Sequence, residues 1–461
     1  MKTRKNLEIL LALTALLVLF SGTTISAANI CVNQGGTHGC ASSIQGAIST
    51  ASSGDTILIK NGSYFENVVV DRPLTLTGEN DHDTIIYPAI SNPNPCPGSS
   101  LCGGTASNII LVQADSVTIS HMTLDGDNPH LTSGVVAGGA DVDARNGIIV
   151  NFLASPGIFN NLTVDHVTVK NVYLRGIYAS SGGTFNFHDN EVDNVQGDVQ
   201  SICMFNFGGS GIMAHNKASD CNDALSSNWS GGVQFLNNEI THSGSGVHTD
   251  NAGGFGSGTS DLIQGNTVRD SQPNGYGIFV FVPYFPVTVD GNKISKVDVG
   301  LAAFGGGAAA GVATFSNNEV HGEKKTNSTG VYVTTDDLFG DQLNVTVNFV
   351  GNLIKENADG FVVQSQSPAT LTLSGTCNGV LNNSNSGMTS LAGSGVSNVT
   401  LSSGDFNDNG VGVNNQTGAV VHAENNWWGC KGGPGAHGCD TVQGNVSFTP
   451  ILAKQSKCAP N

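Results

Sequence analysis

Basic residues are scarce in this sequence. Its 461 positions hold 18 Lys and Arg against 36 Asp and Glu, a formal net charge of −18. So acidic a surface repels polyanions, which excludes nucleic acid and anionic membrane surfaces as partners; an acidic polysaccharide would need bridging cations or a local basic patch. Neutral glycans meet no such barrier. Long apolar runs are also lacking. The one stretch of any length, Leu7 to Phe20, is short for a bilayer; it follows Lys2, Arg4 and Lys5 and precedes TISAA, ending at Ala28. That is the layout of a secretory signal peptide. Residues 1–28 are therefore expected to be removed, leaving a chain that does not span a membrane and works secreted, in a periplasm or at a cell surface.

Catalytic signatures are missing too. There is no G-x-S-x-G, no H-E-x-x-H, no phosphate-binding glycine loop and no C-x-x-C. The segment GGFGSGTSD from Gly253 begins like a calcium-binding nonapeptide but carries Gly258 where the aspartate ligand belongs. No cofactor and no metal-ligating residue is assigned, with Ca2+ the one ion left open. The ten cysteines all follow residue 28 and are even in number, which in an oxidising compartment reads as five disulfides. Cys31/Cys40, Cys96/Cys102, Cys203/Cys221 and Cys430/Cys439 lie close enough to pair locally, leaving Cys377 with Cys458.

Helical periodicity is confined to SSIQGAISTA, where Ile44, Ala47, Ile48 and Ala51 share one face behind a serine cap. What fills the rest is repetition. FNFHDNEVDNV from Phe185, VQFLNNEITHS from Val233, DLIQGNTVRDS from Asp261, VTVDGNKISKV from Val287, ATFSNNEVHGE from Ala313 and VNFVGNLIKEN from Val347 each read as strand, asparagine turn, strand. The matching asparagines are 190, 216, 238, 266, 292, 318 and 352. Their spacing is about one coil of a parallel β-solenoid, where equivalent side chains recur every ~4.8 Å and a turn asparagine can pass amide hydrogen bonds from coil to coil. A second unit, a small residue opening a short strand, recurs in GIYAS from Gly176, GVHTD from Gly246, GIFVF from Gly277, GLAAF from Gly300 and GVYVT from Gly330. The fold expected is all-β: a single right-handed parallel β-helix over residues 29–452, a short capping helix at its N-terminal end and a tail at 453–461.

The run SSIQGAISTASSGDTILIKNGSYFENVVVDRPLTLTGENDHDTII resembles the cap and first coils of secreted right-handed parallel β-helix proteins of the pectin-lyase-like superfamily. ENNWWGCKGGPGAHGC followed by VSFTPIL resembles the closing segment of right-handed β-helix repeat proteins, and the coils between resemble the carbohydrate-binding and sugar-hydrolase repeat type. The resemblance implies the fold, with Trp427 and Trp428 in the plug. It carries over no activity. GSYFENVVV is similar to the start of pectin methylesterases but lacks their glutamine and paired aspartates; TVDHVTV, with Asp165 and His166, has no arginine-proline-arginine after it; SDCNDAL is a fragment of the polygalacturonase pattern.

Strand alternation after each opening residue sends one column outward through Tyr178, Cys203, Ser226, His248, Phe279, Ala302 and Tyr332. A neighbouring column runs through Phe205, Asn228, Asp250, Phe281 and Phe304. Tyr178, Phe205, Phe279, Phe281, Phe304 and Tyr332, with Trp229 nearby, form an aromatic stripe suited to stacking on the apolar faces of sugar rings. His248 and Asp250 fall inside it, flanked by Asp223 and Arg175, and these four are the candidate catalytic groups. Two functions follow: a monomeric noncatalytic protein binding a polysaccharide, a cell-surface glycan or another surface partner, or a lyase, hydrolase or epimerase working in the same groove. The insertions at 87–108 and 126–146 are long enough to wall a binding face.

Overall fold

The computed structural model describes residues 27–179, 182–251, 259–282, 285–306, 311–338 and 340–461. Residues 1–26, most of the segment expected to be a signal peptide, and the glycine-rich stretch 252–258 lie outside the described residues.

Each coil spends its residues on three short strands. Val233–Leu236, Glu239–Thr241 and Ser245–Asp250 make one coil, and Asp261–Gln264, Thr267–Arg269 and Tyr276–Val282 the next. Every strand pairs in parallel with its equivalent one coil on: Phe235 with Ile263, Ile240 with Val268, Val247 with Ile278. All six of those side chains are buried. The chain thus winds about 15 right-handed turns around one apolar core, with very little helix. The third sheet, from Val68–Val70 to Val442–Gln443, has 14 strands and carries the GVHTD-type segments.

The first and second sheets meet at a one-residue corner in the left-handed region, φ being 58° at Asp189, 55° at His215, 53° at Asn237 and 69° at Gly265. Asn, Asp and Gly tolerate that conformation best, which is why they crowd these turns. Each corner is followed by a ladder asparagine. Asn266 donates its backbone N–H (2.8 Å) and its Nδ2 (2.9 Å) to Asn292 Oδ1, and Nδ2 also donates to Phe235 O at 2.9 Å. The seven expected members are all buried, and the row extends to Asn378. A second row, not anticipated, links Asn357, Asn383 and Asn409 and ends on Asp440.

Both ends are covered. Helix α1, Ile44–Thr50, starts at Ser43, whose Oγ accepts the Gly46 N–H at 3.1 Å, and the Glu66 carboxylate takes the Ile44 and Gln45 N–H groups. At the far end fully buried Trp428 stacks on Phe406, centroids 5.0 Å apart. The five disulfides pair as the sequence implied. Cys377–Cys458 ties residues 453–461 back onto the coils, where Ser456 N–H donates to Asp405 Oδ1 at 2.7 Å.

Candidate pocket on the third sheet

The opening residue of each third-sheet strand is small because the next coil's backbone leans on it: a Cβ at Gly246 would sit 2.4 Å from Gly277 O. That residue and the one after it both face inward. The outward positions of the His248 strand are therefore Ser245, His248 and Asp250, and three columns run up the sheet rather than two. Cys203 occupies the inward slot of Gly176 and Ala224, fully buried and bonded to Cys221, so its expected place in the outer column is wrong. Phe205 moves into that column instead, over Tyr178 and in line with Ser226 and His248.

The expected continuous aromatic stripe is split in two. Tyr178 and Phe205, each 6% exposed, stack at 4.7 Å beneath the 87–108 insertion, packed with Leu101, Ile149 and Ile202. Arg175 is buried with them; its guanidinium lies 4.7 Å from the Phe205 ring centroid and donates to Ser100 Oγ and Gln200 O. Burial lowers its pKa to about 10. Neither these rings nor Arg175 line the pocket described next. Ser226, Ser227 and Asn228 separate them from the second aromatic group, Tyr276, Phe279, Phe281, Phe304 and Tyr332. There Phe304 is 1% exposed and packs beneath the group, with Phe281 at 5.5 Å and Tyr332 at 6.1 Å; neither Phe304 nor Tyr332 lines the pocket.

Beside this group opens a pocket of about 470 Å³ lined by Asn228, Trp229, His248, Asp250, Phe279, Phe281, Gly305, Gly306, Asp337 and Leu338. His248, Asp250, Phe279, Phe281 and Trp229 are thus brought together as expected. Asn228 fills its expected column position, whereas Asp337 and Leu338 arrive from a loop that no repeat pattern points to. Tyr276, in the overlooked third column, packs edge-on against Phe304.

His248 is held on three sides. Its ring stacks on Phe279, 4.2 Å between centroids. Its Nδ1 lies 3.2 Å from Ser226 Oγ and 3.5 Å from Asp223 Oδ2. Ser226 spends its own hydrogen on Asn228 Oδ1 at 2.9 Å, so its lone pair faces the imidazole. That arrangement assigns the hydrogen to Nδ1 and leaves a lone pair on Nε2, which is buried without a hydrogen-bond partner. Asp223 is fixed by Ser245, which donates to its Oδ1. Burial pushes the Asp250 carboxyl up, against the opposing pull of His248 and the Trp229 backbone N–H. Behind the wall Thr249 donates to Asp261 at 2.6 Å, and burial raises that carboxyl to about 6. Chemically, the pocket offers apolar rings, a lone pair on a positioned imidazole and a carboxyl disposed to keep its proton. Among the described residues no Lys or Arg lines it.

Residues 146–320 match the family described as a right handed beta helix region. No curated protein matches the sequence. Among solved structures, the catalytic unit of a thermostable GH87 α-1,3-glucanase from Streptomyces thermodiastaticus strain HF3-3 superposes with a TM-score of 0.53 at 13% identity, over 90% of this chain and 66% of that one. PfbA, a surface adhesin of Streptococcus pneumoniae, gives 0.48 at 12% identity over 76% of this chain and 88% of its own. A polygalacturonase from Erwinia carotovora ssp. carotovora gives 0.46 at 14% over 76% and 92%. The neighbours are polysaccharide-active enzymes and an adhesin, alike in fold at these identities. The right-handed β-helix expected from the sequence is borne out.

Proposed function

We propose that this protein is exported and binds a neutral carbohydrate chain in the pocket around His248. The observation that carries the reading is the composition of that pocket: Phe279, Phe281 and Trp229 supply apolar faces for sugar rings, while His248 Nε2 and Asp250 supply directional polar groups beside them. Its only ionisable lining groups, among the described residues, are His248, Asp250 and Asp337. A chain of uronic acids would bring carboxylate against carboxylate, so the ligand is uncharged. Five disulfides suit an oxidising location, and no helix of the described residues is long and apolar enough to cross a membrane.

Glycoside hydrolysis in the same pocket is the second reading, favoured by one pairing. Asp250, disposed to stay protonated, suits a general acid; His248, with its lone pair on Nε2, suits a base toward water. The test separates the two. Neutral glucans and polyuronates are titrated against the mature protein by calorimetry, and each mixture is assayed for new reducing ends. Binding of a neutral glycan that His248→Ala and Phe279→Ala both weaken supports the pocket, and product release lost in Asp250→Asn adds the chemistry. Tight binding of polyuronate alone would overturn both.

A further inference from the structure

Four of the chain's 12 histidines gather at one corner of the helix, away from the pocket, where the first and second sheets meet. Parallel pairing sets Asp165 beside His188 on adjacent coils. The next residues, His166 and Asp189, turn the corner with φ of 52° and 58°, as His121 and His215 do one coil to either side. His121 and His166 are stacked 5.1 Å apart and within 2° of parallel. His166, Asp189 and His215 line a hollow of about 250 Å³, together with Glu191 and Lys217.

The contacts in this group outnumber the hydrogens available to make them. His188 Nδ1 lies 3.1 Å from Asp165 Oδ1 and 3.0 Å from Asp189 Oδ2, so one ring nitrogen faces two carboxylates almost equally. Asp165 Oδ1 in turn also meets His166 Nδ1. A proton on His188 Nδ1 serves one carboxylate at a time; a small cation between them serves both. One donor atom from each of Asp165, His188 and Asp189 falls within 4.8 Å of the others. Zinc bonds of roughly 2.0–2.2 Å to nitrogen and oxygen place tetrahedral donors roughly 3.3 Å apart, close to the spacings seen here. Calcium is a poorer match, since it takes about 6–8 oxygens and imidazole nitrogen is not among its ligands.

We propose that Asp165, His188 and Asp189 form a three-donor binding site for a zinc-type divalent transition-metal ion that clamps two successive coils at their corner, with water completing the tetrahedron. Asp165 lies 23 and 24 residues before His188 and Asp189, a spacing no local metal motif has, and only the in-register stacking of the coils assembles them. The site shares no residue with the His248 pocket and stands whatever that pocket binds.

The test uses mature protein stripped with EDTA and titrated calorimetrically with Zn2+. One equivalent should bind, and the melting temperature should rise with bound Zn2+. His188→Gln and Asp189→Asn, both at solvent-accessible positions, should each weaken Zn2+ at least tenfold and cancel the thermal shift, with unchanged circular dichroism. His422→Ala, an exposed histidine beside Glu424 far along the chain, should leave affinity unaltered. Absence of stoichiometric Zn2+ uptake, uptake unchanged in the two corner variants, or displacement of Zn2+ by equimolar Ca2+ would each overturn the assignment.

Discussion

His248 and Phe279 lie ring over ring, 4.2 Å between centroids and 17° from parallel, one coil apart on the third sheet. The stack is a direct product of in-register parallel pairing, which places equivalent side chains about 4.8 Å apart along the axis. It covers one face of the imidazole while Ser226 takes Nδ1, so Nε2, buried, is the ring nitrogen left without a hydrogen-bond partner.

The split stripe separates binding from folding. Phe279→Ala should weaken glycan affinity about tenfold, the loss of one good ring stack at ~1.4 kcal/mol. Phe205→Ala should leave affinity unchanged and lower stability by about 3 kcal/mol, since it empties a buried site under Leu101 and Arg175. Calorimetric titration and urea unfolding of both variants check the pair; equal effects on affinity would put the ligand on the wrong half.

Asp261 should make the fold less stable as pH rises. Its carboxyl is raised from 3.8 to about 6 by burial, so it is protonated in both states below its free value. Between 3.8 and about 6 the unfolded chain releases a proton that the fold retains, and stability falls by about 3 kcal/mol, then stays lower. Asp261→Asn should remove that slope, its amide still accepting from Val233 N–H and pairing with Thr249. Unfolding midpoints of both proteins at half-unit pH steps from 3.5 to 7 (roughly the titration window) show it as a changing difference.

Asn266→Ala strands the Asn238 N–H and Nδ2 and the Phe235 carbonyl, all buried, and should cost about 2–4 kcal/mol. Asn414→Ala removes an outward side chain paired in register with Thr389 and Gln443 and should stay within about 0.5 kcal/mol. Similar unfolding midpoints for the two variants would show that the row contributes no more than an exposed asparagine.

Cys377→Ser should release the C-terminal segment. The bond spans 81 residues, and its loss should cost about 2–4 kcal/mol. Limited proteolysis followed by mass spectrometry should find cleavage between Leu452 and Cys458 in the variant at protease levels that leave the parent intact.

The fold was legible because a solenoid writes its period into the sequence: the seven asparagines, four of the cystine pairs and the helix behind Ser43 are each local or periodic signals, and the fifth pair, Cys377 with Cys458, followed by elimination. The pocket was legible as far as alternation holds. His248, Asp250, Phe279 and Phe281 follow from it, whereas Asp223, expected only as a flanking group, stands with Ser245 and Tyr276 in the column that alternation overlooked. Alternation fails at the strand openings, where two successive residues turn inward, and that error misplaced Cys203 and Phe205. Burial of Tyr178 and Phe205 was invisible because it depends on where the 87–108 insertion lands, and Asp337 and Leu338 come from a loop with no repeat to mark it.

The asparagine rows have a direction. In each step the backbone N–H and Nδ2 of one coil point to the Oδ1 of the next, as from Asn357 to Asn383 and from Asn383 to Asn409. The stack is therefore electrically one-way, with acceptors bared toward the N-terminal end and donors toward the other. An asparagine in the last place would again present donors with nothing beyond to receive them. Asp440 stands there instead, its two oxygens taking the Asn409 N–H at 3.1 Å and Nδ2 at 2.6 Å, and an ionised carboxylate has no hydrogen to pass on. It works as a terminator. Two molecules meeting head to tail find this row already closed, so it offers no continuing track along which one β-helix could grow onto another.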